Sequence, residues 1–281
     1  MEKVNLNYNN INYDEIVLKI KSSKIGKEII EDLELTDEEI KNNYELLNNY
    51  IKLNSSCENC RNMNYCDHST KGHRYGLKRD FDGDLTDYFT ICKHYQKYYQ
   101  KKKNIVFTTF NEEELLDSSQ KTFLRDNYNL LGNFFEKLVK ISENQPVTGA
   151  FIHLPDTKIR LKLIKGIAYT LLTTRKMAIV KFSDLLQVIK SEFKLKSDET
   201  TFNELLDCEI LVIDGLGNES ITNWSRDEIL LSILDNRIQL DKTTILCSEY
   251  SIEQLKKIYK IGYSDAIKVE QLIGKIKELN N

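Results

Sequence analysis

At 281 residues, with 30% charged side chains and a formal net charge of -3, the chain reads as a soluble globular protein with room for one large domain and a smaller one. No stretch approaches the roughly 20 apolar residues of a membrane span, and the start, MEKVNLNYNN, lacks the apolar core of a secretory leader, so a cytoplasmic protein without a membrane partner is expected. The balance of charge gives no global affinity for nucleic acid, and any such contact needs a local patch.

Residues 1–53 read as short helices. Ile16, Val17, Ile20 and Ile25 form one apolar stripe, and Ile29, Ile30 and Leu33 another. Thr36 and Glu39 have the spacing of a capping box, ahead of Ile40, Tyr44, Leu46, Leu47, Tyr50 and Ile51. A bundle this small is marginal alone and calls for a staple.

Four thiols follow at once: Cys57-x2-Cys60-x5-Cys66, and then Cys92. In a reducing compartment this spacing points to zinc rather than disulfides. His68, His73 and His94 lie nearby, so four thiolates, or three thiolates and one imidazole, would both complete a tetrahedral site. No further group stands ready as a general base, which favours a structural Zn2+ over a catalytic one. Gly72, Gly76 and Gly83 suit the tight turns of a knuckle. Cys208 and Cys247 lie in or beside apolar runs and read as small buried hydrophobes.

The tract Lys93–Lys103, KHYQKYYQKKK, holds five lysines, three tyrosines and no acid. Lysines on phosphates and rings on bases could follow single-stranded DNA. A solvated linker helix is the plainer reading, and the composition favours it. A polar stretch comes next, then a helix over Lys121–Ile141 with Phe123, Tyr128, Leu131, Phe134, Phe135 and Leu138 at helical spacing.

From Gly149 onward strands and helices alternate. Strands are expected at 150–154, 176–182, 209–215 and 243–250. Helices are expected at 159–172, 183–193, 201–206, 224–240, 252–259 and 266–279. This order builds an α/β fold, a parallel sheet with helices on both faces. The expected domains are 1–103 (helical and zinc-binding), 104–148 (linker and helix) and 149–281 (the core).

The core is organised around Asp207–Glu219, DCEILVIDGLGNE. Ile210–Ile213 make a short apolar strand that ends on Asp214. An acid at the C-terminal end of such a strand sits where open α/β sheets bind ligands, and in P-loop hydrolases it holds the nucleotide's magnesium. The plainer alternative is a buried strand closed by an Asp-Gly turn.

The run Leu211–Glu219, the segment Thr222-Asn-Trp224-Ser-Arg226-Asp-Glu228, and the cysteine knuckle with Lys71-Gly72 and a distant Cys92 together resemble the DnaI/DnaC group of bacterial replicative helicase loaders, specifically the DnaI type, over nearly the whole chain. The resemblance implies a zinc-bearing, helicase-interacting domain joined to an AAA+ (P-loop NTPase-like) core. It implies ATP and Mg2+ as cofactors, a replicative DNA helicase as partner, and helicase assembly on DNA as the task. Arg226, within the tryptophan segment, either contacts a neighbouring subunit or DNA, or pairs with a nearby acid.

Several positions depart from that pattern. The stretch that should wrap phosphate, Leu154–Leu161, has no glycine; Arg160 stands where the lysine belongs, and Leu161 replaces the hydroxyl residue. A Cβ at each loop position disfavours the backbone that a phosphate cradle uses, and Asp156 adds negative charge. Gly215 replaces a second acid beside Asp214, and Glu249 replaces the sensor asparagine. The Arg-Gly insertion after Tyr259 is missing, and Gln271 and Lys275 stand where arginines are usual. Arg160 and Asp214 are the groups left to touch a nucleotide, and ATP hydrolysis is not expected. The reading favoured by the sequence is a DnaI-like helicase-loading or primosomal scaffold with an inactive ATPase site. An active loader with an unconventional site and a single-stranded DNA-binding module are the alternatives, and the oligomeric state is open.

Overall fold

The computed structural model describes residues 13–58, 60, 62–63, 66–195, 201–260 and 266–280. The chain divides into two compact units, Met1–Lys97 and Tyr98–Asn281.

The first unit opens with four short helices, α1 (Tyr13–Ser22), α2 (Lys24–Asp32), α3 (Asp37–Asn42) and α4 (Tyr44–Asn54). Their apolar stripes meet in one cluster around Val17, Ile20, Ile29, Ile40 and Leu47. The capping box forms as its spacing requires: the Glu39 N–H donates to Thr36 Oγ1, and the Thr36 N–H donates to the Glu39 carboxylate at 2.9 Å. Such a cap stabilises a helix start by about 1 kcal/mol. Where the glycines suggested only turns, residues 73–91 form an antiparallel hairpin of β1 (His73–Arg79) and β2 (Leu85–Ile91), with Tyr75 opposite Phe89. Leu77 joins the helical cluster. The buried Asn54 amide donates to the carbonyls of Tyr50 and Tyr75, which ties α4 to β1. Helix α5 (Lys93–Lys103) begins in this unit and ends in the second.

The second unit is built on a five-stranded parallel sheet, in the order β3-β5-β6-β7-β4. The strands are β3 (Ile105–Thr108), β4 (Gly149–His153), β5 (Met177–Lys181), β6 (Ile210–Asp214) and β7 (Thr243–Ser248). Central β6 is apolar on both sides. Ile210 and Val212 face the cluster built with α9 (Thr157–Leu171), while Leu211 and Ile213 face the one built with α10 (Phe182–Leu195), α12 (Ser232–Gln239) and α14 (Ala266–Glu278). A strand buried on both faces must be apolar throughout, which is why the sequence shows a run rather than alternation. Each such side chain stabilises the fold by roughly 1.5–3 kcal/mol. The parallel sheet with helices on both faces is the one expected.

Three details differ from the expectation. The segment after α5 contributes β3 as an edge strand, paired with β5 through Ile105 and Met177. The helix expected over Lys121–Ile141 is broken into α7 (Ser119–Asp126), a 3-10 turn at Tyr128–Leu131 and α8 (Phe134–Ser142): Asn127 leaves the helical path at φ -125°, and Gly132 turns the chain again at a positive φ of 51°. The helix after β6 starts as a π-helical stretch, Trp224–Leu231, before α12. Helix α6 (Glu112–Leu115), α11 (Thr201–Asp207) and α13 (Ile252–Ile258) complete the unit. Helix α7 lies close on α9 at Gly166, where a Cβ would come within 3.0 Å of the Leu124 Cβ.

Candidate functional site

The first candidate site is the C-terminal edge of the sheet. Parallel strands β5, β6 and β7 bring Lys181, Asp214 and Cys247 level with one another. Gly215 turns the chain away at φ 78°, and its N–H and that of Leu216 donate to the Cys247 carbonyl. Asp214 is 4% exposed. Its partner is Arg160, one turn into α9 and 2% exposed, whose Nε lies 2.7 Å from Asp214 Oδ1. Arg160 Nη1 also donates to the Leu154 carbonyl at 3.0 Å. Burial raises the Asp214 carboxyl, against the pull of the Arg160 guanidinium, the Gly215 N–H and the Lys181 charge.

The loop before α9 is satisfied by its own side chains. Asp156 caps α9, accepting from the Ile159 N–H at 2.9 Å, and the Arg160 N–H bonds to the Asp156 carbonyl. A helix start that would attract an anion through its free N–H groups thus carries its own carboxylate. Glu249, at the end of β7, lies 3.9 Å from Arg160 Nη1 and accepts from Thr157 Oγ1 at 3.4 Å. Arg160 and Glu249, each expected from the sequence to depart from the loader pattern, face each other with opposite charge. The sequence reading weighed each separately against a phosphate; their complementary signs were the available hint that they meet.

Within the tryptophan segment, Ser225 and Arg226 are buried. Arg226 is 1% exposed. It pairs with Asp227 at 2.7 Å and donates to the Tyr259 carbonyl at the end of α13 and to Asn223 Oδ1. Of the two readings of Arg226, the structure shows the ion pair. Trp224 meets Phe193 edge-on at 6.5 Å, with Lys190 over its ring. Lys275 pairs with Asp235 at 3.1 Å. The loop where the sequence reading expected the Arg-Gly insertion to be missing falls at 261–265, outside the described residues.

Sequence reasoning missed a second buried carboxyl close by. Glu219 is 7% exposed, accepts from the Gly217 N–H at 2.8 Å and lies beside the fully buried Tyr259. Burial raises the Glu219 carboxyl, and burial together with that carboxyl raises the Tyr259 hydroxyl. Only the packing of α13 over the Gly215–Gly217 turn reveals it.

The second candidate site lies in the first unit. Cys57, Cys60, Cys66 and Cys92 line one cavity of about 230 Å³, together with His68, His73 and His94. All six cysteines are free thiols. The Gly72 N–H points at Cys66 Sγ and the Tyr95 N–H at Cys92 Sγ, both at 3.4 Å. Cys57 Sγ lies 2.9 Å from His68 Nε2. Gly72 sits at φ 82°, where a Cβ would strike the Tyr95 ring. Among the described residues, no three His, Cys, Asp or Glu groups close in tightly enough to hold an ion as they stand.

The basic tract of α5 is partly committed within the second unit. Lys101 is buried over the Tyr169 ring and donates to the Tyr169 carbonyl, and Lys102 pairs with Glu112 at 3.0 Å. Among the described residues, no helix is long and apolar enough to cross a membrane.

No family model matches the chain. Over 236 residues it is 20% identical to the replicative helicase loader DnaI of Bacillus subtilis, an alignment spanning 81% of this chain and 76% of that protein. A crystal structure of DnaI aligns with 64% of this chain and 94% of its own at 20% identity and a TM-score of 0.48. A structure from Streptococcus pyogenes serotype M3, named as a primosome component, aligns with 66% of this chain and 94% of its own at 16% identity and a TM-score of 0.50, a likeness of fold. The chain is thus similar to a DnaI-type replicative helicase loader over four-fifths of its length, the group its motifs resemble.

Proposed function

We propose that this chain is a DnaI-like helicase-loading protein of DNA replication that works as a scaffold: the first unit docks on the replicative helicase, and the AAA+-like second unit does not hydrolyse ATP. The similarity to the curated loader supports the loading role. The loss of ATPase function is carried by one observation, the buried Arg160–Asp214 pair. In a working site the acid faces Mg2+ and the loop N–H groups face phosphate. Here Asp214 faces a guanidinium, Asp156 satisfies the helix start, and Glu249 adds a third carboxylate. The residues present do not fit a nucleotide–magnesium complex, and the loading role is ascribed to docking alone.

The donor chemistry of the cysteine cavity suits a structural Zn2+, once the thiols draw closer than they stand. Four thiols around one cavity, two of them met by backbone N–H groups that would stabilise thiolate charge, are the donors such an ion takes. Cys57, Cys60, Cys66 and Cys92 would hold it. When bound, zinc supplies a crosslink between the end of α4, the hairpin and the start of α5, in a unit with a small core of its own.

Calorimetric titration of the full chain with ATP and Mg2+ tests the scaffold reading, with no saturable heat expected up to millimolar nucleotide. Tight binding would overturn it. Co-purification with the cognate replicative helicase tests the loading role; failure to associate at micromolar concentrations would remove it.

A further inference from the structure

Strand β2 carries apolar side chains into solvent on a hairpin that its own helices cover only in part. On one face, Leu77 is buried, and Tyr75 and Leu85 pack against the helical cluster. On the same face, opposite Tyr75, Phe89 is 72% exposed, and Ile91 two residues further on is 45% exposed. Phe89 is positioned by its neighbours: its ring stands edge-on to Tyr75 at 5.7 Å, and the Tyr75 hydroxyl donates to Asp87. In the described sheet β2 pairs only with β1, so its outer edge is free. Neighbouring apolar side chains held in water beside a free strand edge mark an interaction surface.

The tip segment beside them carries charge of one sign. From Asp80 to Asp87 the chain reads DFDGDLTD, four acids and no base. The hairpin tip is a formed loop: the Asp80 carboxylate accepts from the N–H groups of Asp82 and Asp84, and Gly83 takes φ 90°. Phe81 projects from this tip fully exposed. Of the cations of β1, Arg79 pairs with Glu39 and donates to the carbonyls of Leu33 and of Gly83 in the tip, while Arg74 and Lys78, the latter over Tyr88, stand on the opposite face.

We propose that the outer strip of β2 with the hairpin tip (Phe81, Asp82, Asp84, Phe89 and Ile91) is the surface by which the first unit grips the helicase. The occupant is a basic protein segment with an apolar anchor that covers Phe89 and Ile91, its lysines or arginines facing Asp82 and Asp84. An aromatic anchor with an acidic flank supplies affinity through the ring and steering through the charge. This rests on the reading of the first unit as the docking unit.

The test uses the full chain and the purified cognate helicase, with affinity measured by calorimetry at 50 and 300 mM salt. Phe89→Asp is expected to weaken binding at least tenfold. The Asp82→Lys/Asp84→Lys double reversal is expected to weaken it several-fold at low salt and to flatten its salt dependence. That double variant alters only exposed tip side chains, so it reads the surface even if Phe89→Asp disturbs the hairpin. Phe135→Ala, at an exposed ring of α8, should bind as wild type does. Wild-type affinity in Phe89→Asp with an unchanged circular dichroism spectrum, or in the double reversal, overturns the surface. Failure of the wild-type chain to bind overturns the docking reading itself.

Discussion

Arg160 and Asp214 face each other at 2.7 Å with both side chains nearly closed to solvent, at the point where the sheet's central strand ends. A buried pair of this kind contributes little net stability compared with well-packed apolar residues, because both charges leave water, but breaking it leaves one charge stranded.

Removing either partner alone is therefore the sensitive experiment. Arg160→Ala should destabilise the second unit by about 3–5 kcal/mol in urea unfolding. The double change Arg160→Met/Asp214→Leu should recover most of that loss. If the single change is as harmless as the double, the pair does not organise this edge.

Glu219 gives the pH dependence a sign. Its folded-state pKa is raised, chiefly by burial, so the native chain holds a proton that the unfolded chain has released. The stability tied to that proton is complete below the ordinary glutamate value, near pH 4.3. It is lost as pH rises toward the folded value, at up to about 1.4 kcal/mol per pH unit. Asp214 is raised too and acts in the same direction. Subtracting the profile of Glu219→Gln from that of the wild type isolates the Glu219 share. The variant should lose less stability as pH rises above the ordinary glutamate value, and parallel profiles would show that Glu219 is not titrating in a buried state.

Arg237 is fully buried, and its N–H groups are spread over the carbonyls of Leu205, Cys208 and Thr243 and the hydroxyl of Thr244. It fastens the end of α11 to the start of β7. Lysine cannot reproduce that fork. Arg237→Lys should leave two or more carbonyls without a donor, at about 1–3 kcal/mol each. The melting temperature of the second unit should fall by about 5 °C or more.

The proposed zinc site predicts one equivalent of metal per purified chain by atomic absorption. Chelation, or Cys66→Ser, should melt the helical and hairpin signals of that unit while the transition of the α/β unit persists. A metal-free chain with the first unit folded would end the zinc reading.

Much of this molecule could be read along the chain. The apolar run Ile210–Ile213, the strand–helix alternation after Gly149 and the Thr36–Glu39 cap follow from local patterns, since burial on two faces, helical period and capping each depend on residues within a few positions. The absence of glycine across Leu154–Leu161 was equally plain. The hairpin at 73–91 and strand β3 were not, because a strand of four to seven residues is defined by its pairing partner, and their patterns are short and interrupted by glycine or charge. Only the tertiary structure decided that Arg160 turns onto Asp214, that Glu249 approaches the same guanidinium, and that Arg226 folds back onto Asp227. Residues 54 or 89 positions apart meet because parallel strands and their crossover helices bring the strand ends together. A composition or a period carries no information about which charges will share that edge.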